Sequence, residues 1–209
     1  MEKLISHILF IGSGVILTLQ LLIGGLSMGL LLGSLFSILR YKRIAKGLIN
    51  HLVSVLRGTP VILQLSLIYF AVPGLLNIKL SILEAGIITF GFNSSAYIAE
   101  ILRAGIESLP KGQFEAAKTL QIPSFYTWKD IILPQVIRNV FPSLVNEVIA
   151  LLKETALIAT IGGMDILRKS QILGAEHFTY FIPLCIAGCY YYALVILIEY
   201  FGKKIEQRG

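Results

Sequence analysis

Charge is scarce in this 209-residue sequence: Asp, Glu, Lys and Arg together make up 14% of it, against about 25% in an average soluble domain. Aspartate occurs only at Asp130 and Asp165. So few charges beside 56% hydrophobic residues exclude an ordinary cytosolic enzyme and a disordered chain. A soluble domain of this length has nowhere to hide that much apolar surface. Cysteine is limited to Cys185 and Cys189, four apart in one apolar run. This excludes a disulfide scaffold, leaves no spaced Cys/His set for a metal, and reads as two small buried hydrophobes. There is no Gly-x-x-x-x-Gly-Lys-Ser/Thr to cradle phosphates, no His-Glu-x-x-His and no Gly-x-Ser-x-Gly, so no ATPase, metalloprotease or hydrolase site is expected. No cofactor is expected either. A basic cluster interleaved with aromatics is also missing, which argues against nucleic acid as a partner.

What the sequence has instead is long apolar runs. Crossing the hydrocarbon takes about 20 residues of helix. From Leu4 to Leu39 there is no Asp, Glu, Lys or Arg. One long tilted helix over about residues 11–40, with an interfacial lead-in, is expected here. A hairpin turning at Gly24-Gly25 is the six-span alternative, disfavoured because no polar residues flank the pair. Arg57-Gly58-Thr59-Pro60 reads as an N-cap and first-turn proline opening a second span, about 60–76. Further spans are expected at about 80–102, 135–161 and 178–201. A polar loop is expected from Met164 to His177. The fold class is therefore an all-α polytopic membrane protein, one domain over residues 1–209 with five transmembrane helices.

Of the 18 Lys and Arg residues, thirteen fall in three regions that five spans place on one side. These are Arg40, Lys42, Arg43, Lys46 and Arg57; then Arg103, Lys111, Lys118, Lys129 and Arg138; then Lys203, Lys204 and Arg208. Lys3, Lys79, Arg168 and Lys169 lie on the other side, and Lys153 lies within a span. The positive-inside rule makes the richer side cytoplasmic. The N-terminus is then outside and the C-terminus inside.

Between the third and fourth spans Pro110, Pro123 and Pro134 cut the chain into short pieces, leaving a short helix over about residues 112–121. It carries Gln113-Phe114-Glu115-Ala116-Ala117-Lys118-Thr119-Leu120, followed by Ile131-Ile132-Leu133-Pro134. Two alanines give a narrow face that can seat in another protein's cleft, and Glu115 and Lys118 stand one turn apart. The alternative is a solvated connector that touches nothing.

This block resembles the EAA loop of ABC-importer permeases, Glu-Ala-Ala followed by Ile-x-Leu-Pro. Arg57-Gly58-Thr59-Pro60, the stretch Ala96 to Ile106 with Lys111-Gly112-Gln113, Leu133-Pro134-Gln135, Asn146 and Leu152 to Leu157 are similar to the polar amino-acid branch. Within it the histidine/glutamine/arginine group, and glutamine-type permeases most, are nearest. The resemblance spans roughly residues 15 to 200. It implies the type I importer permease fold, with the short helix as a coupling helix that docks on an ATPase through Phe114, Glu115, Ala116, Ala117 and Leu120. It implies two cytoplasmic ATP-binding subunits, a second permease subunit (a second copy or a paralogue), an extracytoplasmic solute-binding protein, a polar amino-acid substrate and a bacterial inner membrane. Two positions depart from the family pattern. Gln121 stands where the family usually has Gly, and Glu154 and Ala156 stand where Asp and Ser are common.

Charges inside a span are expensive and mark candidate sites. Asn146 and Lys153, and likewise Glu147 and Glu154, are seven apart, so the pairs occupy two adjacent faces. They are either part of the substrate path or a Lys–Glu neutralisation within the bundle. Glu100, Arg103 and Glu107 are expected to form a helix ladder. A secondary transporter would show inverted halves, and no such repeat is present. A permease for another small solute and a non-transporting structural subunit are the remaining alternatives.

Overall fold

The computed structural model describes residues 2–207; Arg208 of the basic tail lies outside them. The order is α1 Glu2–Gly12, α2 Val15–Tyr41, α3 Lys46–Gly58, α4 Val61–Ser66, α5 Val72–Leu76, α6 Ile82–Glu107, α7 Lys111–Thr119, α8 Ser124–Tyr126, α9 Leu133–Glu154, α10 Ile166–Glu176 and α11 Phe181–Glu206. π-helical turns join α4 to α5 and α8 to α9, and a 3₁₀ segment, Thr155–Ile161, extends α9. No strand occurs among the described residues.

Two stretches, Lys3–Tyr41 and Phe181–Glu206, are long and apolar enough to cross a membrane. α3 and the Val61–Leu76 helix bend by 102° to one another. Gly24 and Gly25 lie inside α2, so no hairpin forms there. The interfacial lead-in is itself helical: α1 ends at Gly12, and the chain turns at Ser13-Gly14 before α2 begins.

α2 and α6 form the central pair. α2 buries Gly25, Gly29, Gly33 and Ser37, each four residues from the last, and the three glycines lie against Phe90, Ser94, Ser95 and Ile98 of α6. Small residues at this spacing let helix backbones approach where burying apolar surface gives no driving force. A Cβ on Gly33 would lie 2.8 Å from the Ser95 carbonyl oxygen, a backbone atom that cannot move aside alone. Gly33→Ala is therefore expected to lower the melting temperature of the detergent-solubilised protein, with a cost of about 1–3 kcal/mol for overpacking. Gly47→Ala, in α3 with open space around its Cβ, is expected to raise it slightly through helix propensity. Equal shifts at the two positions would contradict the close α2–α6 approach. Leu21, Leu65, Phe90, Leu151, Leu152 and Ile158 fill the core around this pair.

Three local expectations are corrected. The stretch expected as a polar loop contains α10. It is helical because Asp165 caps it, accepting a hydrogen bond from Arg168 N–H at 2.8 Å, while the Tyr191 hydroxyl donates to the second carboxylate oxygen at 3.0 Å. Burial pushes the Asp165 carboxyl above the usual range, opposed by these hydrogen bonds. Thr59 does not cap the helix that follows it; its hydroxyl donates back to Val55 C=O, and extended Pro60 precedes Val61. Cys185 and Cys189 are exposed, not buried, because they lie on the outer face of α11. At the same end of the molecule, the Tyr190 hydroxyl donates to Ile8 C=O, and the Nε2 atoms of His7 and His177 approach to 3.1 Å. These contacts tie α1 to the α10–α11 corner.

Candidate functional site

α7 is a nine-residue helix set between Pro110, its N-cap, and Pro123. Its own chain holds it on one side. Gln113 and Gln135 exchange side-chain amide hydrogen bonds at 3.0 and 2.7 Å. Phe114 packs with Leu109, Ile132, Val136 and Val140, and stands edge-on to Trp128. Ala117 is 3% exposed. On the other side Glu115, Ala116, Lys118, Thr119 and Leu120 are open to solvent, Leu120 at 72%.

The five residues expected to dock on a partner therefore divide. Glu115, Ala116 and Leu120 face outward, whereas Ala117 is sealed inside the chain and Phe114 is half-buried in its core. The pairing of neighbouring alanines hid this division. Successive helical positions differ by about 100°, and the short motif did not show which alanine the rest of the chain would cover.

The helix stops where expected, by the device in question. Gln121 adopts φ 54°, the left-handed region. Gln121 N–H donates to Lys118 C=O, and Ile122 N–H to Ala117 C=O, the paired bonds of a Schellman end. A residue with a Cβ pays for that geometry by about 1–2 kcal/mol. Gln121→Gly is thus expected to raise thermal stability by up to a few degrees and Gln121→Val to lower it. The opposite order would show that the turn is not strained.

A second polar group lies where α9 meets α6. The Ser94 hydroxyl donates to Glu147 at 2.7 Å, and the Asn93 amide donates to Glu154 at 2.9 Å. Asn93, Ser94 and Ser95 are all buried, and the Asn93 side-chain oxygen has no hydrogen-bond partner among the described residues. The two glutamates thus turn inward onto α6. Asn146 and Lys153 lie on the exposed side of α9, and no ion pair to Lys153 occurs among the described residues, so the Lys–Glu neutralisation is not seen. With Asn139 and Ser143, also exposed, they form a polar stripe along α9.

Glu100 joins a larger set than the ladder read from the sequence. Arg40 at 2.5 Å, Arg103 at 2.9 Å and Arg57 at 3.6 Å converge on it, and Arg103 also reaches Glu107. Arg40 and Arg57 come from α2 and α3, and Arg57 stands over the Tyr97 ring. Only the i,i+3 and i,i+4 members had a local signal. No group of three or more metal-ligating side chains occurs among the described residues.

A sequence model of the family described as "Binding-protein-dependent transport system inner membrane component" matches residues 25–208. The chain belongs to this family. It is 48% identical, over 99% of its length and 95% of the relative's, to a putative glutamine transport system permease protein of Rickettsia typhi. It is 38% identical to an arginine transport system permease protein of Bacillus subtilis, over 98% of this chain and 94% of that one. Among solved structures, an amino acid ABC transporter crystallised with histidines matches with a TM-score of 0.90 at 32% identity, covering 99% of this chain and 97% of the other. The inward-facing MetNI methionine ABC transporter matches at TM-score 0.73 and 16% identity, a likeness of fold alone. This family member is thus a helical membrane protein with the type I importer permease fold, a permease component of a transport system that depends on a binding protein.

Proposed function

We propose that this chain is the transmembrane permease subunit of an ATP-driven importer of polar amino acids, glutamine or a close relative, and that ATP hydrolysis takes place in a separate subunit. The observation that carries the reading is α7: a short helix isolated by prolines, fixed on one side by its own chain and presenting Glu115, Ala116 and Leu120 on the other. The glutamine and arginine permeases among its relatives support the substrate class.

In this reading residues 1–209 form one transmembrane domain. α2, the Val61–Leu76 helix, α6, α9 with its 3₁₀ extension, and α11 are the five spans. The N-terminus is outside and the C-terminus cytoplasmic in a bacterial inner membrane. Two ATP-binding subunits seat on the outer face of α7, one per permease subunit. A second permease subunit, a copy or a paralogue, covers the α9 stripe, and a solute-binding protein delivers the amino acid from outside. Closure of the ATPase pair displaces α7 as a lever, and the spans exchange between two arrangements biased by nucleotide.

Orientation is checked by replacing Cys185 and Cys189 with Ser and placing single cysteines at Ala116 and Phe178. A membrane-impermeant maleimide on intact cells is expected to label position 178 and not 116; the reverse pattern would invert the topology. The function is tested by ATP hydrolysis in the assembled complex. Glutamine-loaded binding protein is expected to stimulate it, and a complex indifferent to every polar amino acid tried would remove the substrate assignment.

A further inference from the structure

The end of α2 and the turn after it form a two-part pocket beside the Glu100 cluster. Its polar part, about 260 Å³, is lined by Arg40, Arg43, Lys46 and Arg103, with Glu107 the only acidic residue in the lining. Glu107 is already engaged by Arg103, and Arg40 and Arg103 both bind Glu100. Arg43 and Lys46 have no carboxylate partner among the described residues, so positive charge is left over. The second part, about 200 Å³, is an apolar slot that shares Ser37, Tyr41 and Ile106 with the first and adds Ile38, Lys42 and Trp128. Tyr41 and Trp128 meet edge-to-face at 4.7 Å, as aromatics do at a membrane–water boundary. The turn that presents Arg43 is held in an unusual backbone: Arg43 and Ala45 both take left-handed conformations, φ 59° and 49°. Non-glycine residues persist there only where their surroundings impose it, which is frequent at ligand sites.

We propose that this pocket binds an anionic phospholipid, its phosphate between Arg43 and Lys46 and the start of its acyl chains in the slot against Trp128. Charge complementarity selects the headgroup. The adjoining apolar slot, at the end of an apolar helix that finishes at Tyr41, selects a lipid over a free phosphate. Basic pockets between membrane helices at the bilayer surface bind such headgroups. Trp128 also stands edge-on to Phe114 of α7, so an occupied slot bears directly on the seat of that helix. The inference rests on the placement of the end of α2 at a membrane surface and not on the transport reading, and its test needs no transport.

Trp128 is the sole tryptophan, which makes its fluorescence a specific probe. The purified full chain is titrated in mixed micelles with phosphatidylglycerol or phosphatidylcholine carrying brominated acyl chains, which quench a tryptophan they touch. Phosphatidylglycerol is expected to quench at a much lower mole fraction. Each near-surface basic residue changes affinity for anionic lipid about fivefold, so Arg43→Gln with Lys46→Gln is expected to weaken phosphatidylglycerol roughly 25-fold and leave phosphatidylcholine unchanged. Equal quenching by both lipids on the unmodified chain would overturn the proposal, and that comparison stands whether or not the variant folds. Displacement of the quenching lipid by inorganic phosphate alone would also overturn it, assigning the basic part to a free anion.

Discussion

Ala116→Trp is expected to separate the ATPase subunit from this chain during purification and to stop transport, while the chain itself remains folded and inserted. Ala116 lies on the open side of α7 with Glu115 and Leu120, and an indole there meets the partner before anything else. Overpacking a fitted contact costs about 1–3 kcal/mol, or up to roughly a hundredfold in affinity. Ala117→Trp is expected to fail differently. At 3% exposure the site of Ala117 has no room for an indole, so the chain loses stability before any partner is involved. Size-exclusion profiles of the chain alone and co-purification of the ATPase distinguish the two. If Ala116→Trp leaves both assembly and transport unchanged, the outer face of α7 is not the docking face. Glu115→Ala is expected to have the smaller effect, since an exposed ion pair contributes only about 0–1 kcal/mol.

The double variant Asn146→Leu, Lys153→Met is expected to lower transport tenfold or more without lowering the amount of folded chain. A lysine facing lipid at mid-span costs about 2.5–3.5 kcal/mol. An exposed Lys153 in line with Asn139, Ser143 and Asn146 therefore implies a face covered by a second subunit or by a water-filled path. Neutral apolar residues are easy to insert but remove donors worth about 1.5–3 kcal/mol each when they bind a charged group. Transport by the double variant at the normal rate would take the stripe out of the path. Glu147→Gln supplies the contrast: its amide oxygen can still accept the Ser94 hydroxyl, so it is expected to fold normally. A transport loss there would show that the charge itself is used.

How much of this was legible in the sequence follows the range of each interaction. The helices were readable because apolar length and proline punctuation are local. The α7 block was readable because Pro110, Pro123 and the Glu-Ala-Ala run lie within a few turns of one another. The inner and outer faces of α7 were not, since Gln135 and Val136, which hold Gln113 and pack with Phe114 on its inner side, belong to α9. The same limit applies to Glu147 and Glu154. Their seven-residue spacing gave the shared face, but the direction of that face depends on Asn93 and Ser94, more than 50 residues away. The α2 glycines at 25, 29 and 33 form a four-residue repeat that is local in the sequence and marks the close approach of α2 to α6. The polar composition of residues 164–177 points to a loop, whereas Asp165 is an N-cap signal and starts α10.

In the proposed function this chain, driven through α7, moves a polar amino acid when ATP is hydrolysed in a separate subunit. The most direct measurement is uptake of radiolabelled glutamine into proteoliposomes holding the chain with its ATPase and second membrane subunit, with the solute-binding protein on the outside and ATP within. Uptake is expected to require ATP and the binding protein, to be competed by unlabelled polar amino acids, and to vanish with Ala116→Trp while the vesicles keep the same amount of folded chain. Uptake that continues without ATP, or that Ala116→Trp leaves intact, would contradict it.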